Sequence, residues 1–454
     1  MVAPEVRDSA VVLGGGISGL LAARVLADFF SSVTVVDRDV LPDGPTIRRG
    51  VPQGGLPHVP LARGTQIMDE LFPGLLDQLV AGGGRVWNDG DLSRFWMFCG
   101  GHHLLRSGKI PNPKSLVTYY VSRPFLEWNL RRRVSAIPHV QIRGGHELVR
   151  LTSTRERHRV TGVVLARRRS RAKATLSADL VVDATGRGSR TPLFLDDLGY
   201  RRPREDELRV RLGYSGLPVY MPRGILHENL VVAGPQPRRP VGCGMVAGEN
   251  NTYTIGVSTV AGQSPPTDRA GVLSCLAEMA PPHVVAAAGR AEPLGDVVQY
   301  RFPSNRWRRY DRLTHMPEGL IVVGDAMCSF NPTYGQGMSV AATEAVVLRQ
   351  CLQRGDHYLP QRFFRSAAKA IRVAWQTAVS WDLTLPQIEG HRPLSMQITN
   401  AYLDRVLAAA ETDPAVMQRF LRLISMVDPP SRLVSLPMML RLTRGDKKRR
   451  GKHA

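Results

Sequence analysis

Two stretches of this chain carry residue types and spacings that could do chemistry. Gly14-Gly15-Gly16-Ile17-Ser18-Gly19 satisfies G-x-G-x-x-G directly after the apolar run Ala10–Leu13 and opens a segment with helical periodicity. In that arrangement Gly14 permits a tight turn, Gly16 lets the backbone approach a pyrophosphate, and Gly19 lets helix and strand pack closely. The free N–H groups of the helix start then face the phosphates. Asp37 closes the next apolar run and can accept hydrogen bonds from ribose hydroxyls. The second stretch starts at Gly324-Asp325, after the run Gly319–Val323. It continues through Asn331-Pro332-Thr333-Tyr334-Gly335-Gln336-Gly337-Met338 into another helical pattern. The first stretch implies a dinucleotide and by itself leaves FAD and NAD open.

These residues need elements to hold them. Residues 9 to 39 read as strand, glycine turn, helix and strand, a βαβ opening. Asp179–Asp183 and Gly319–Val323 read as further buried parallel strands. From about 207 to 262 the pattern changes to β-branched runs, with Leu230–Val232, Cys243–Val246 and Tyr253–Thr259 as antiparallel strands. From Gln336 to about 427 it is helical, broken at Pro360, Pro386, Pro393 and Pro414. The expected class is α/β: a Rossmann-type nucleotide-binding domain, discontinuous in sequence, with an inserted antiparallel β-sheet substrate domain and a helical C-terminal part. The expected boundaries assign 1–84, 118–200 and 306–355 to the nucleotide domain and 85–117 and 201–305 to the substrate domain. Residues 356–443 form the helical part and 444–454 a disordered basic tail.

Composition excludes several classes. At 454 residues and 43% hydrophobic, the chain exceeds the roughly 250 to 300 residues at which one core stops growing, and disorder is ruled out as its main state. Five scattered cysteines without a C-x-x-C pair argue against a disulfide framework or a metal site and fit a reducing cytoplasm. No apolar run reaches the ~18 residues of a membrane span, and Glu5 and Asp8 are unlike a secretory leader. The net charge of +21 suggests nucleic acid, but only 7 of the 60 basic residues are lysines and the arginines are spread along the whole length. No nucleic-acid role is therefore expected. The dense run Arg444–His453 reads as a solvated tail, or as a contact with anionic lipid at ~1 kcal/mol per basic residue.

The segment VVGDAMCSFNPTYGQGMSVA resembles the second flavin signature of the class A flavoprotein monooxygenases, which share the para-hydroxybenzoate hydroxylase fold. The resemblance implies FAD, bound in a domain of the glutathione-reductase type. Gly324 and Asp325 would hold the ribityl chain and Pro332 would lie beside the isoalloxazine. The amides of Gly335, Gln336, Gly337 and Met338 would face its pyrimidine edge, where a helix N-terminus stabilises the negative charge of reduced flavin. Ser122-Arg123-Pro124-Phe125-Leu126-Glu127 is similar to the family's helix start with an FAD-contacting Arg123, and Arg48 or Arg49 would fill a second pyrophosphate position, with Arg49 preferred. Segments IRRGVPQ, ARGTQIMDELFPGL and DLVVDATGRGSR most resemble the branch of flavin epoxidases and tailoring oxygenases that act on polyene precursors of polyether and other polyketides. Two departures stand out. Gly54-Gly55-Leu56-Pro57-His58 replaces a run with more basic groups, so the loop's role in flavin movement is not carried over. Thr185 replaces an Asp that contacts FAD and NADPH.

The resemblance implies a monooxygenase that inserts one oxygen of O2 through a flavin C4a-hydroperoxide, in secondary metabolism such as antibiotic biosynthesis. Electrons would come from NADPH or NADH, directly or through a partner reductase. Epoxidation needs no base, and His58 is the one base candidate near the flavin motifs. Catalysis would rest on flavin positioning by Pro332, Gly335 and Gly337. Trp96, Phe98, Tyr214, Tyr220, Met245 and Tyr253 are the expected walls of a pocket for a lipophilic substrate. Alternatives are a reductase of isoprenoid-type alkenes, an aromatic hydroxylase, or a flavin-bearing protein that binds lipid or nucleic acid. A halogenase is disfavoured, because no two tryptophans are spaced Trp-x-Trp and only Lys109, Lys114 and Lys173 precede residue 200.

Overall fold

The computed structural model describes residues 7–435 with Met438, Met439, Arg441 and Leu442. The basic tail 444–454 lies outside the described residues. A parallel sheet of five strands forms one half of the core, in the order Leu320–Val322, Leu180–Asp183, Arg7–Leu13, Phe30–Val36, Val140–Arg143. Its central strands are apolar on both faces because both are buried: consecutive residues such as Val11 and Val12, and Val181 and Val182, are all shielded from solvent. The glycine turn leaves the middle strand, and the Gly324-Asp325 turn leaves the strand two places away on the sheet edge. Both therefore open at the carboxyl ends of the strands, where α/β sheets bind their ligands.

A larger sheet closes over that edge. It runs Cys328–Ser329, Val298–Arg308, Glu205–Tyr220, Thr252–Thr259, Val241–Ala247, Leu230–Ala233, Phe95–Cys99, His102–His103. Segments from before residue 105 and after residue 204 thus build one sheet. The 16-residue strand Glu205–Tyr220 and its partner Val298–Arg308 are its spine, and the latter runs past residue 305 into the segment assigned to the nucleotide domain. A separate antiparallel sheet of His146–Ser153, Val160–Arg167 and Lys173–Ser177 packs at the outer side of the parallel sheet.

The C-terminal helices are Gly337–Leu352, Leu359–Asp382, Leu394–Ala410 and Pro414–Ile424. Each proline sits where a missing N–H costs nothing. Pro360 and Pro414 lie in first turns, Pro393 is an N-cap, and Pro386 follows the end of the second helix. No helix among the described residues is long and apolar enough to cross a membrane.

Candidate functional site

The glycine turn separates packing from function. A Cβ on Gly14 would lie 2.4 Å from the Ala184 carbonyl oxygen, and one on Gly19 would lie 1.9 Å from that of Gly14. Those two glycines are demanded by the chain itself. A Cβ on Gly16 would meet nothing closer than Arg48 Nη2 at 3.8 Å. Gly16 is the N-cap of helix Ile17–Leu26, which has neither a side-chain cap nor an acidic residue in its first turn. The leading N–H groups of that helix are therefore open to an anion.

Asp37, at the end of the second strand, is buried. Its Oδ2 accepts from Gly15 N at 2.7 Å and from Arg48 Nη1 at 3.1 Å, and its Oδ1 accepts from Asp39 N at 2.8 Å. Arg48 Nε donates to Glu127 Oε1 at 2.6 Å, and burial of the guanidinium is outweighed by Glu127 and Asp37, which raise its pKa. Glu127 Oε2 is buried without a partner. The position over the glycine turn thus belongs to Arg48. Arg49 is exposed and instead lines a cavity of about 270 Å³ with Arg38, Asp39, Glu147 and Arg168. Composition does not distinguish two adjacent arginines, but of the two only Arg48 forms ion pairs with buried carboxylates among the described residues.

Asp325 lies in a cleft with Arg123, Arg187 and Tyr300. Its side chain is exposed, and the chain packed nearby shifts its pKa upward by desolvation against the pull of Arg123 and Arg187. Tyr300, which no sequence motif marks, is also raised by desolvation and by Asp325, so it stays protonated. Arg187 is held by Ser304 O, Ser304 Oγ and Ser329 Oγ at 2.6 to 2.7 Å. Arg123, the first residue of helix Arg123–Ser135, has a buried Nε with no partner. Behind Asp325, Gly324 N donates to Glu344 Oε2 at 2.6 Å. Glu344 is buried and its pKa is pushed up to about 8, chiefly by desolvation.

The segment from Asn331 turns through Pro332 to Gly335, which has φ +67°, before helix Gly337–Leu352 begins. That helix also lacks a side-chain cap and first-turn acids, a Cβ on Gly337 would meet nothing within 4 Å, and Gln336 Oε1 is buried without a partner. Met338 is buried at its start.

His58 is half-buried. Its Nδ1–H donates to Leu56 O at 2.8 Å, and desolvation with the nearby Arg123 charge lowers its pKa to about 3. The ring is neutral with a free Nε2 acceptor and is not a base poised near pH 7. Its loop lies against a row of glycines on the large sheet. Gly216, Gly256 and Gly244 stand side by side, and Cβ atoms on the first two would lie 2.3 Å from Gly55 O and 2.5 Å from Pro57 Cγ.

That row settles which side chains share a face. Tyr214 and Tyr220 alternate with Gly216 on the face that carries the His58 loop, and Tyr214 pairs with Tyr300. Met245, Tyr253, Trp96 and Phe98 occupy the opposite face, where Ser215 Oγ donates to Pro266 O. Tyr253 Oη donates to Glu228 O and accepts from Arg85 Nη1, and the rings of Phe98 and Trp96 pack on His103. The six expected wall residues therefore do not line one pocket.

No family model matches the chain. It is 37% identical over 449 residues to Protein Rv3254 of Mycobacterium tuberculosis, covering 95% of this chain and 92% of that protein. A kynurenine 3-monooxygenase of Salinispora arenicola is 28% identical over 448 residues, with 93% and 88% covered. Among solved structures, p-nitrophenol 4-monooxygenase PnpA from Pseudomonas putida superposes with a TM-score of 0.65 at 16% identity, covering 93% of this chain and 99% of that one. The flavin-dependent brominase Bmp2 superposes with 0.65 at 13% identity, covering 98% and 100%. The chain belongs to the family of Protein Rv3254 and has the fold of the FAD-dependent monooxygenases and halogenases.

Proposed function

We propose that this protein is an FAD-dependent monooxygenase that places one atom of dioxygen on an electron-rich carbon–carbon double bond, or hydroxylates a carbon, of a lipophilic polyketide or terpenoid intermediate. One observation carries the reading. Two uncapped helix N-termini, at Gly16 and Gly337, open on the same side of the parallel sheet, and no contact among the described residues explains either glycine. The partnerless Gln336 Oε1 belongs to the second of these motifs, and the partnerless Arg123 Nε and Glu127 Oε2 belong to the Ser122–Glu127 segment, where Glu127 lies beside Gly16. These residues fit a dinucleotide with a flavin head.

Reduced flavin supplies the activated oxygen when bound. The chain's own residues bind and orient it. The first helix N-terminus and Arg48 hold the pyrophosphate, Asp325 accepts from ribityl hydroxyls, and the second helix N-terminus stabilises negative charge at the pyrimidine edge. The sheet face with Tyr214, Pro218 and Tyr300 covers the cleft from water, and protonated Tyr300 offers a hydrogen bond to a substrate oxygen. An alkene needs no deprotonation before attack, and a neutral His58 is consistent with that. The Thr185 hydroxyl is engaged by Asp183 Oδ1 at 2.6 Å, which favours electrons arriving from NADPH or NADH through a partner reductase. Lys109, Lys114 and Lys173 are all exposed, unlike a halogenase lysine held beside flavin. A cytoplasmic location, with peripheral lipid contact through residues 444–454, completes the reading.

The test is turnover with reduced FAD, isotope-labelled dioxygen and a panel of polyenes and polycyclic phenols. A product with one labelled oxygen is expected. A saturated product without oxygen would establish the reductase instead, and a halogenated product in the presence of bromide would establish the halogenase.

A further inference from the structure

A buried carboxylate stands behind the flavin loop, and nothing in the proposed chemistry uses it. Asp382 is the last residue of helix Leu359–Asp382 and is 1% exposed. Its Oδ1 accepts from Asn331 Nδ2 at 2.8 Å and from Tyr334 Oη at 2.6 Å, and its Oδ2 accepts from Asn305 Nδ2 at 2.5 Å. Asn305, on the strand Val298–Arg308, accepts in turn from Asn331 N at 2.6 Å. Asn331 Oδ1 accepts from Thr333 N and Thr333 Oγ1 at 3.1 and 2.7 Å. The Trp381 ring meets Tyr334 edge-on, with centroids 5.5 Å apart.

Both oxygens of Asp382 and both side-chain polar atoms of Asn305 and Asn331 are engaged. A helix end, a sheet strand and the loop before helix Gly337–Leu352 meet in one network. All three donors to the carboxylate are neutral, and no basic side chain among the described residues bonds to it. A buried charge without a counter-cation is costly, and a neutral side chain of similar volume would serve simple packing better. Three neutral donors converging on one carboxylate also fix direction as well as distance.

We infer that Asp382 is a positioning residue for the flavin: by holding Asn331 and Tyr334 it sets the segment Pro332–Met338 against the pyrimidine edge, and its charge opposes the build-up of negative charge there. The inference rests on the FAD reading above. It gives the helix N-terminus an opponent. The dipole of Gly337–Leu352 stabilises reduced flavin, while the carboxylate behind the loop weakens that stabilisation and lowers the reduction potential. Burial raises the Asp382 pKa to about 6 against the three donors. The titratable group facing it is Tyr334 from the loop, while the strand presents only Asn305. Below about pH 6 the acquired proton turns an acceptor towards donors, so the network loosens and the charge is lost together.

The experiment uses the FAD-loaded full chain. Asp382→Asn keeps the volume but turns an NH2 group towards the donor of Asn305 or Asn331. The expected result is FAD affinity reduced about tenfold, as for loss of one or two hydrogen bonds to a charged group. The midpoint potential should rise, and the inflection near pH 6 in the rate of flavin reduction should disappear. The double variant Asp382→Asn with Asn305→Asp exchanges the two groups across the same hydrogen bond and should recover most of the affinity. Tyr334→Phe removes one donor outside the core of the network, and should move the inflection to higher pH even if the Asp382 variant folds poorly. Wild-type affinity, potential and pH profile in Asp382→Asn would overturn the inference, as would an unmoved inflection in Tyr334→Phe. A wild-type chain that holds no FAD would instead overturn the functional reading beneath it.

Discussion

Asp325→Ala discriminates a ligand-binding residue from a structural one. Asp325 makes no hydrogen bond or ion pair among the described residues, although it sits amid chain density that disfavours its charged form. Its side chain is exposed and bonds to no other group among the described residues, so the carboxylate contributes little to the stability of the flavin-free fold. Removing the carboxylate should therefore leave the melting temperature of the flavin-free protein unchanged or slightly higher near pH 7. The cost should appear only with ligand. Ribityl hydroxyls donating to a carboxylate make charge-assisted hydrogen bonds of about 1.5 to 3 kcal/mol, or roughly one to two decades in FAD affinity. The assay pairs fluorescence titration of the apoprotein by FAD with its thermal melt. Unchanged affinity, or a large drop in melting temperature without FAD, would refute the reasoning.

Other consequences can be checked separately. Gly16→Val should abolish FAD binding while leaving the flavin-free melting temperature near wild type, whereas Gly19→Ala should destabilise the fold itself by roughly 1 to 3 kcal/mol or more through overpacking; denaturant unfolding and flavin absorbance separate the two. Glu344, with a folded pKa near 8, should make stability fall as pH rises from about 4.5 to 8, by up to ~1.4 kcal/mol per pH unit. Glu344→Gln, which keeps the bond from Gly324 N, should flatten that slope in melts across the range. Truncation after Thr443 should leave FAD content and turnover of a soluble substrate intact while lowering sedimentation with anionic vesicles.

Much of the cofactor domain is legible in the amino-acid sequence, because its signals are local. Gly14 to Gly19 and Asp37 lie within one βαβ unit, and apolar runs such as Leu180–Asp183 can only be strands buried on both faces. The helix breaks at Pro360, Pro393 and Pro414 are equally local, since each follows from a missing N–H. What escapes a sequence-based expectation depends on register or on distance along the chain. Trp96 and Met245 share a face only because Trp96 pairs with Val231 and Val231 with Met245, a parity no single strand reveals. Moving either register by one residue would put Trp96 on the face of Tyr214 and leave Met245 behind. Tyr300 reaches the cleft through its pairing with Tyr214 across a strand that no sequence signal marks. Asp382 meets Asn305 and Asn331 across 77 and 51 residues, and an Asp at a helix end carries no local sign of such partners.

The same distinction explains why the site is incomplete without its ligand. Buried polar atoms normally find partners, and each one left without costs about 1 to 3 kcal/mol. Here Ser18 Oγ, Arg123 Nε, Glu127 Oε2 and Gln336 Oε1 lack one, and all four belong to the motifs around the two open helix N-termini. Buried atoms such as Tyr120 Oη, Tyr310 Oη and Asn400 Oδ1 also lack partners elsewhere, while Asp183 is well satisfied, its oxygens accepting from Thr185, Ser189 and Thr191. What sets the first four apart is that they lie in the segments next to two helix N-termini that have neither a side-chain cap nor a first-turn acid. Binding should therefore stabilise the whole protein by mass action, by about 2.7 kcal/mol at a free FAD concentration one hundred times its Kd. The melting temperature should climb with FAD concentration in wild type and stay flat in Gly16→Val, with AMP alone giving only part of the rise, because it engages the first helix N-terminus and leaves the second empty. An equal rise with AMP and FAD would mean that the Gly337 end takes no part in binding, and the flavin assignment would fall with it.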